Sequence, residues 1–355
     1  MVQPVSAAPA TAKPAAALAA PMASPSGGMA TPAPKKMAFL SALRPIKLSE
    51  AKPSNHVILI GNKGVKTISA VAVDLLGGTS PNGRTTIRAT PGLPRPDGSR
   101  VVVITFDNQS SQSLLNHYGS LVDTHGVEVY HIMDTVKDAN GVLIYPGWDG
   151  GSAESGTIVS TAFKELLVSL RESNNVGLLV IDHYGKFLED VCKYHAYKKA
   201  NMPLDGKLEP SQWTPRANLI NDIDHLVRTV PMEGGWVICT GSRDQREGSE
   251  KTTFDKKDSN GKMLVQKEVV PSKWTEKVLH NWANIIQVYK LQLPSGNYAW
   301  RAEVEEGRHP IFPLGAVVDI SGRHIGAFQD KAALKFPDDE VHDVKVQAST
   351  KPGTR

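Results

Sequence analysis

Cysteine is almost missing from this chain: Cys192 and Cys239 are the only two among 355 residues. Two distant thiols build no disulfide framework and have no zinc-ligand spacing, so a reducing, cytoplasmic compartment is the default expectation. No uninterrupted apolar run of about 18 residues occurs, which excludes a transmembrane helix and predicts no membrane partner. Aromatics make up only 6% of the chain, and the first 36 residues contain no acid at all. That stretch instead holds 12 Ala and 7 Pro, and with nothing to nucleate a core it reads as a disordered arm. It has neither the leucine-rich stretch of a secretory signal nor the arginines of a transit peptide, so it is expected to stay attached.

What is present is ordinary globular composition, 40% apolar and 21% charged, enough for one large domain or two small ones. The formal charge of +4 is unevenly spread. Residues 1–55 carry Lys13, Lys35, Lys36, Arg44, Lys47 and Lys52 against Glu50, a net +5, leaving the other 300 residues at −1. The folded body is therefore electrically neutral, and the basic balance marks a tail rather than a nucleic-acid-binding domain.

Residues 37–54 read as a linker or short helix, and the body is expected over 55–330, with a polar tail over 331–355. His56–Ile60 is a short apolar run with β-branched enrichment, a buried strand. A glycine turn follows, and Ile68, Val71, Ala72 and Leu75 then fall at helical spacing up to Gly77-Gly78. Residues 79–100, with turn dipeptides Asn82-Gly83 and Asp97-Gly98, read as a long loop or hairpin insertion. Further strands are expected at Val101–Phe106, 127–133, Val176–Ile181, Trp236–Cys239, 285–291 and 298–304, and helices after Ser110, over 158–172 and over 214–229. The charged segment 249–270 is centred on Asn260-Gly261 and reads as a solvated hairpin. Strands apolar on both faces and separated by helices predict an α/β fold in three layers, with a mainly parallel sheet covered on both sides. In such a fold ligands bind beyond the carboxyl ends of the strands.

The residues at those ends carry the chemistry. Gly61-Asn62-Lys63-Gly64-Val65-Lys66-Thr67 follows a strand and opens a helix, the context of a loop whose backbone N–H groups cradle phosphates. In that role Lys66 neutralises phosphate oxygens and the Thr67 hydroxyl ligates Mg²⁺. The pattern G-x-x-x-x-G-K-[ST] is incomplete: either one glycine before Lys66 is missing, or Val65 stands where it belongs. The same letters also begin the GXXG clamp of KH domains, an RNA-binding alternative, and a structural turn with no ligand is a third reading. Asp182, closing the strand Val176–Ile181, has the position of an acid that holds Mg²⁺ directly or through water. Asp107 and Gln109, beyond the second strand, are the candidates for orienting a water, and no glutamate accompanies them. Ser242 and Arg243, beyond the fourth, are candidates for sensing a terminal phosphate. His183, His195 and His225 show no metal-ligand spacing and read as core or surface histidines.

This order of pieces, a degenerate phosphate loop, FDN, LLVIDH, a helix containing Arg216, WVICTGSRD and a charged hairpin, resembles the RecA-like P-loop ATPases. It is most similar to compact phage-encoded AAA-type nucleotide-binding proteins linked to recombination and single-strand annealing. The resemblance spans about residues 55–305 and implies a RecA-like nucleotide-binding domain that takes ATP and Mg²⁺, with or without turnover. It assigns the ATP site to Lys66, Thr67, Asp182 and Ser242, and implies a homo-oligomer acting on DNA, single-stranded rather than duplex. The class of rival is a pseudo-ATPase scaffold that keeps the fold and has lost the phosphate site.

Overall fold

The computed structural model describes residues 53–61, 66–119, 126–132, 153–244, 250–257, 263–267, 270–271, 278–292 and 298–336, all within the unit Lys52–Arg355. The expected arm over 1–36, nearly all of the segment 37–54, and the loop residues Asn62, Lys63, Gly64 and Val65 lie outside them.

Apolar runs buried on both faces form the centre of the sheet. These are β1 (His56–Gly61), β4 (Arg100–Thr105), β6 (Val176–Asp182) and β7 (Trp236–Asp244). Short strands β2 (Gly78–Thr79) and β3 (Thr86–Ile87) pair antiparallel as a hairpin, and β5 (Val127–His131) is an edge strand beside β4. The charged segment forms the two-stranded β8 (Glu250–Lys257) and β9 (Met263–Lys267), and β10 (Val270–Pro271) returns to pair with β7. The sheet ends in β11 (Asn284–Gln292), β12 (Tyr298–Gly307) and β13 (Val317–Asp319). Its order is β13-β12-β11-β1-β7-β6-β4-β5. Every pairing from β11 to β5 is parallel, and β12, β13 and β10 are antiparallel additions, so the sheet is mainly parallel as expected.

Period-two alternation sorts the strands between two cores. Val57, Leu59, Val101, Val103, Leu178, Val180, Trp236 and Ile238 face one core, and Ile58, Ile60, Val102, Ile104, Leu179, Ile181, Val237 and Cys239 face the other. The first face is covered by α1 (Lys66–Ala70) and α2 (Asn108–Tyr118), through Ala70, Leu114 and Tyr118. The second is covered by α3 (Ala153–Ser173), α4 (Cys192–Ala200) and α5 (Thr214–Thr229), through Phe163, Leu167, Cys192, Ile220 and Ile223. The chain moves one way along the sheet, β1 to β4 to β5, with helices on the first face. It returns, β5 to β6 to β7, with helices on the second, as right-handed crossovers require. The fold is a three-layer α/β sandwich. Among the described residues, no helix is long and apolar enough to cross a membrane.

Two elements depart from the sequence reading. The helix expected to reach Leu75 stops at Ala70, and Val71, Ala72 and Val73 continue as an irregular, fully buried segment. Its backbone is claimed from outside: Leu93 N–H donates to Ala72 O at 3.0 Å, Leu75 pairs with Thr90, and the His324 ring holds Val73 O at 2.6 Å. The helical spacing was real burial on all sides, which periodicity does not distinguish from a helix. The second departure is β7, which does not stop at Cys239 but runs to Asp244, because β1 pairs it as far as Ser242 and β10 pairs Arg243 and Asp244. At the other end, residues 331–336, read as the start of a polar tail, include a short 3₁₀ turn at Lys331–Ala333, and Lys335 pairs with Val317.

Candidate functional site at the carboxyl edge of the sheet

Strand register brings the sequence candidates to one edge. Gly61 pairs with Ser242, Ile181 with Cys239, and Thr105 with Asp182, so the strands leave the sheet side by side. β4 is followed by α2 on the first face, and the adjacent β6 leads to α4 on the second. A crevice opens where neighbouring connections diverge in this way. Parity then fixes which side the polar residues serve. Asp182 continues the alternation of Leu178 and Val180, and Thr240 that of Trp236 and Ile238, so both face the layer that carries α1 and α2.

Those two helices deliver hydroxyls to the Asp182 carboxylate, which is only 1% exposed. Thr67 Oγ1, on α1, donates to Oδ2 at 2.9 Å, and Ser110 Oγ, on α2, donates to the same oxygen at 2.5 Å. Thr240 Oγ1 donates to Oδ1 at 2.8 Å and accepts the His183 N–H at 2.9 Å. A buried carboxylate is tolerated only with such donors in place. Lys66 is buried beside them, and its Nζ donates to Gly61 O at 2.9 Å and to Gly241 O at 2.7 Å, bridging β1 and β7. Asp107 caps β4: its N–H donates to Thr105 Oγ1 at 3.0 Å. Its Oδ2 lies 3.3 Å from His183 Nε2, which is also 3.7 Å from Asp182 Oδ2.

Lys66, Thr67, Asp182 and Asp107 are thus assembled at one edge. Gly61 belongs to that edge for a packing reason: a Cβ on it would stand 2.0 Å from Val288 O on β11. Ser242 and Arg243 lie within β7 rather than beyond it. Gln109 is in the first turn of α2. Ser110, His183 and Thr240 fall in the strand-end runs Asp107–Ser110, Asp182-His183 and Thr240–Arg243, yet the sequence gives none of the three a chemical role, and the His183 ring stands in the site. The signal for Thr240 was parity, since it is the first polar residue continuing a buried same-face alternation.

The residues assembled here fit a phosphate-bound hard cation. The hydroxyl and carboxylate of Thr67 and Asp182 are hard oxygen donors, and Lys66 supplies a point charge. Among the described residues no group of three or more His, Cys, Asp and Glu has metal-holding geometry, so a cation here would share its sphere with ligand or water oxygens. Cys239, next to Thr240, is buried, and that burial raises its thiol well above the usual range.

Fold and site together define a class, three-layer α/β proteins with the ligand site at the carboxyl edge of a parallel sheet. No protein-family model matches the chain, and no curated protein matches it in sequence. Among solved structures it is similar to the flagellar accessory protein FlaH from Methanocaldococcus jannaschii, at 9% identity and TM-score 0.36, covering 77% of this chain and 88% of that one. It is similar to the RadB recombinase at 10% identity and TM-score 0.36, covering 76% and 89%. An uncharacterized protein from Pyrococcus horikoshii, in complex with an unknown peptide, is similar at 10% identity and TM-score 0.32, covering 73% and 87%. At such values these likenesses carry no activity over to this chain.

Proposed function

We propose that this edge binds a nucleoside triphosphate with Mg²⁺, as an ATP site of the RecA-like kind. The observation that carries the reading is the meeting of Thr67 and Asp182, 115 positions apart, at 2.9 Å beside the buried ammonium of Lys66. In this reading Lys66 neutralises phosphate oxygens, and Thr67 and Asp182 hold the cation, which when bound spreads the charge of the phosphates. Thr240 from β7 and Ser110 from α2 keep Asp182 oriented. Asp107 stands where a water is to be aligned. Gly61, Asn62, Lys63, Gly64 and Val65 stay candidates for holding the phosphates, and Ser242 and Arg243 for the terminal phosphate. The fuller form of the reading, a homo-oligomer acting on single-stranded DNA in phage-type recombination or replication, comes from the motif resemblance.

The test is ATP affinity with and without Mg²⁺ for wild type, Lys66→Ala and Asp182→Ala. Mg²⁺-dependent binding by wild type, weakened at least about 100-fold by either substitution, is the expected result. One observation favours the pseudo-ATPase scaffold: Asp182 already accepts three hydroxyl bonds and Lys66 already bridges two carbonyls, a self-satisfied arrangement. Negligible binding by wild type and variants alike supports it. RNA binding indifferent to Asp182→Ala supports the KH-type clamp.

A further inference from the structure

We infer that His183 is a positioning residue that fixes the Asp107 carboxylate for a water attacking the terminal phosphate; this rests on the nucleotide reading above. Hydrolysis of this kind depends on placing a water in line with the breaking bond. The chain has no glutamate at the end of β4, only Asp107, whose side chain is one methylene shorter. The structure supplies a partner from the adjacent strand, with His183 Nε2 3.3 Å from Asp107 Oδ2.

The backbone is arranged to hold the ring there. His183 has φ 58 and ψ 31, the left-handed region, one of three non-glycine residues with positive φ among the described residues. Such a conformation persists only where its surroundings over-determine it. Here the His183 N–H donates to Thr240 Oγ1 at 2.9 Å, and its carbonyl accepts from Lys186 N at 2.9 Å and Phe187 N at 3.1 Å. A short α-helical turn, Tyr184–Lys186, follows, and then a π-helical turn, Phe187–Val191. Arg216 from α5 donates through one nitrogen to Leu188 O and Glu189 O, both at 2.6 Å, pinning that turn. π turns are frequent at functional sites. Asp107 is fixed in the same manner by Thr105, so a threonine anchors each half of the pair. The pair is also reachable: the side chains of His183 and Asp107 are 26% and 35% exposed, while Asp182 lies sealed below.

His183 faces the Asp107 carboxylate through Nε2. In the step it serves, the water oxygen forms a bond to the terminal phosphorus as the bridging P–O bond breaks. The electron pair of that bond leaves on the nucleoside diphosphate. One water proton stays on the phosphate and the other passes to solvent.

The experiment uses the full chain with His183→Ala and His183→Gln, the second keeping an N–H donor at nearly the Nε2 position. Three quantities are read: affinity for a fluorescent ATP analogue with Mg²⁺, turnover, and capture of ADP by aluminium fluoride. The expected result for His183→Ala is affinity and KM within about twofold of wild type, turnover down about 100-fold, and loss of aluminium fluoride capture. His183→Gln is expected to recover about tenfold of the lost turnover. The inference fails if His183→Ala turns over normally, or if affinity falls in step with turnover. It fails equally if wild type binds ATP and never hydrolyses it. Wild type that binds no ATP ends the nucleotide reading, and this one with it.

Discussion

Around Asp182 each hydroxyl has a separate structural task. Thr240 has two, donating to Oδ1 and accepting the amide of His183, both in a strand residue that is 1% exposed. Thr240→Val keeps the shape and removes both bonds, leaving a carboxylate oxygen and an amide without that partner. The expected cost is about 1–3 kcal/mol in urea unfolding, with Thr240→Ser close to wild type. Lys66, Thr67 and Asp182 were legible as a site because each ends or follows an apolar run. His183 was not, since nothing in its neighbours announces that the chain turns left-handed there and swings the ring back over β4. Ser110 was equally hidden: its value lies in where α2 starts relative to β6, a relation between elements 72 positions apart.

At the scale of elements, close approach decides more than propensity. Gly156 sits inside α3, where helix propensity favours alanine by about 1 kcal/mol. A Cβ there would stand 2.2 Å from Tyr194 Cβ on α4. Gly156→Ala should therefore destabilise, by about 1–3 kcal/mol net, and lower the melting temperature against the propensity trend. The central strands and α5 were readable because β-branched runs and 3.6-residue periodicity are local signals. The early end of α1 and the extension of β7 were not, because both depend on distant partners: Leu93 and His324 for the one, β1 and β10 for the other.

At the scale of the molecule, His324 joins the 3₁₀ turn Ile325–Gln329 to the segment after α1. Its Nε2–H donates to Val73 O at 2.6 Å and its Nδ1 accepts from Gly326 N at 3.0 Å. Complete burial lowers its pKa to about 4, against smaller opposite effects of Val73 O and Asp74. The unfolded chain then binds the proton that the native ring refuses. This contribution is full above the unfolded value of 6.5 and is lost as pH falls toward 4, about 3 kcal/mol in all. His324→Gln, which keeps a donor and cannot titrate, should flatten the stability profile between about pH 6.5 and about pH 4 in urea titrations, with little cost near pH 7. By itself the sequence determined the layers, the central strands and the Lys66, Thr67 and Asp182 set, because burial on two faces and polarity at strand ends are written in consecutive residues. Only the tertiary structure decided the strand order, the lengths of α1 and β7, and the gathering of Thr240, Ser110 and His183 around one carboxylate. Those depend on pairing register and on crossovers spanning many residues, which no local window of sequence contains.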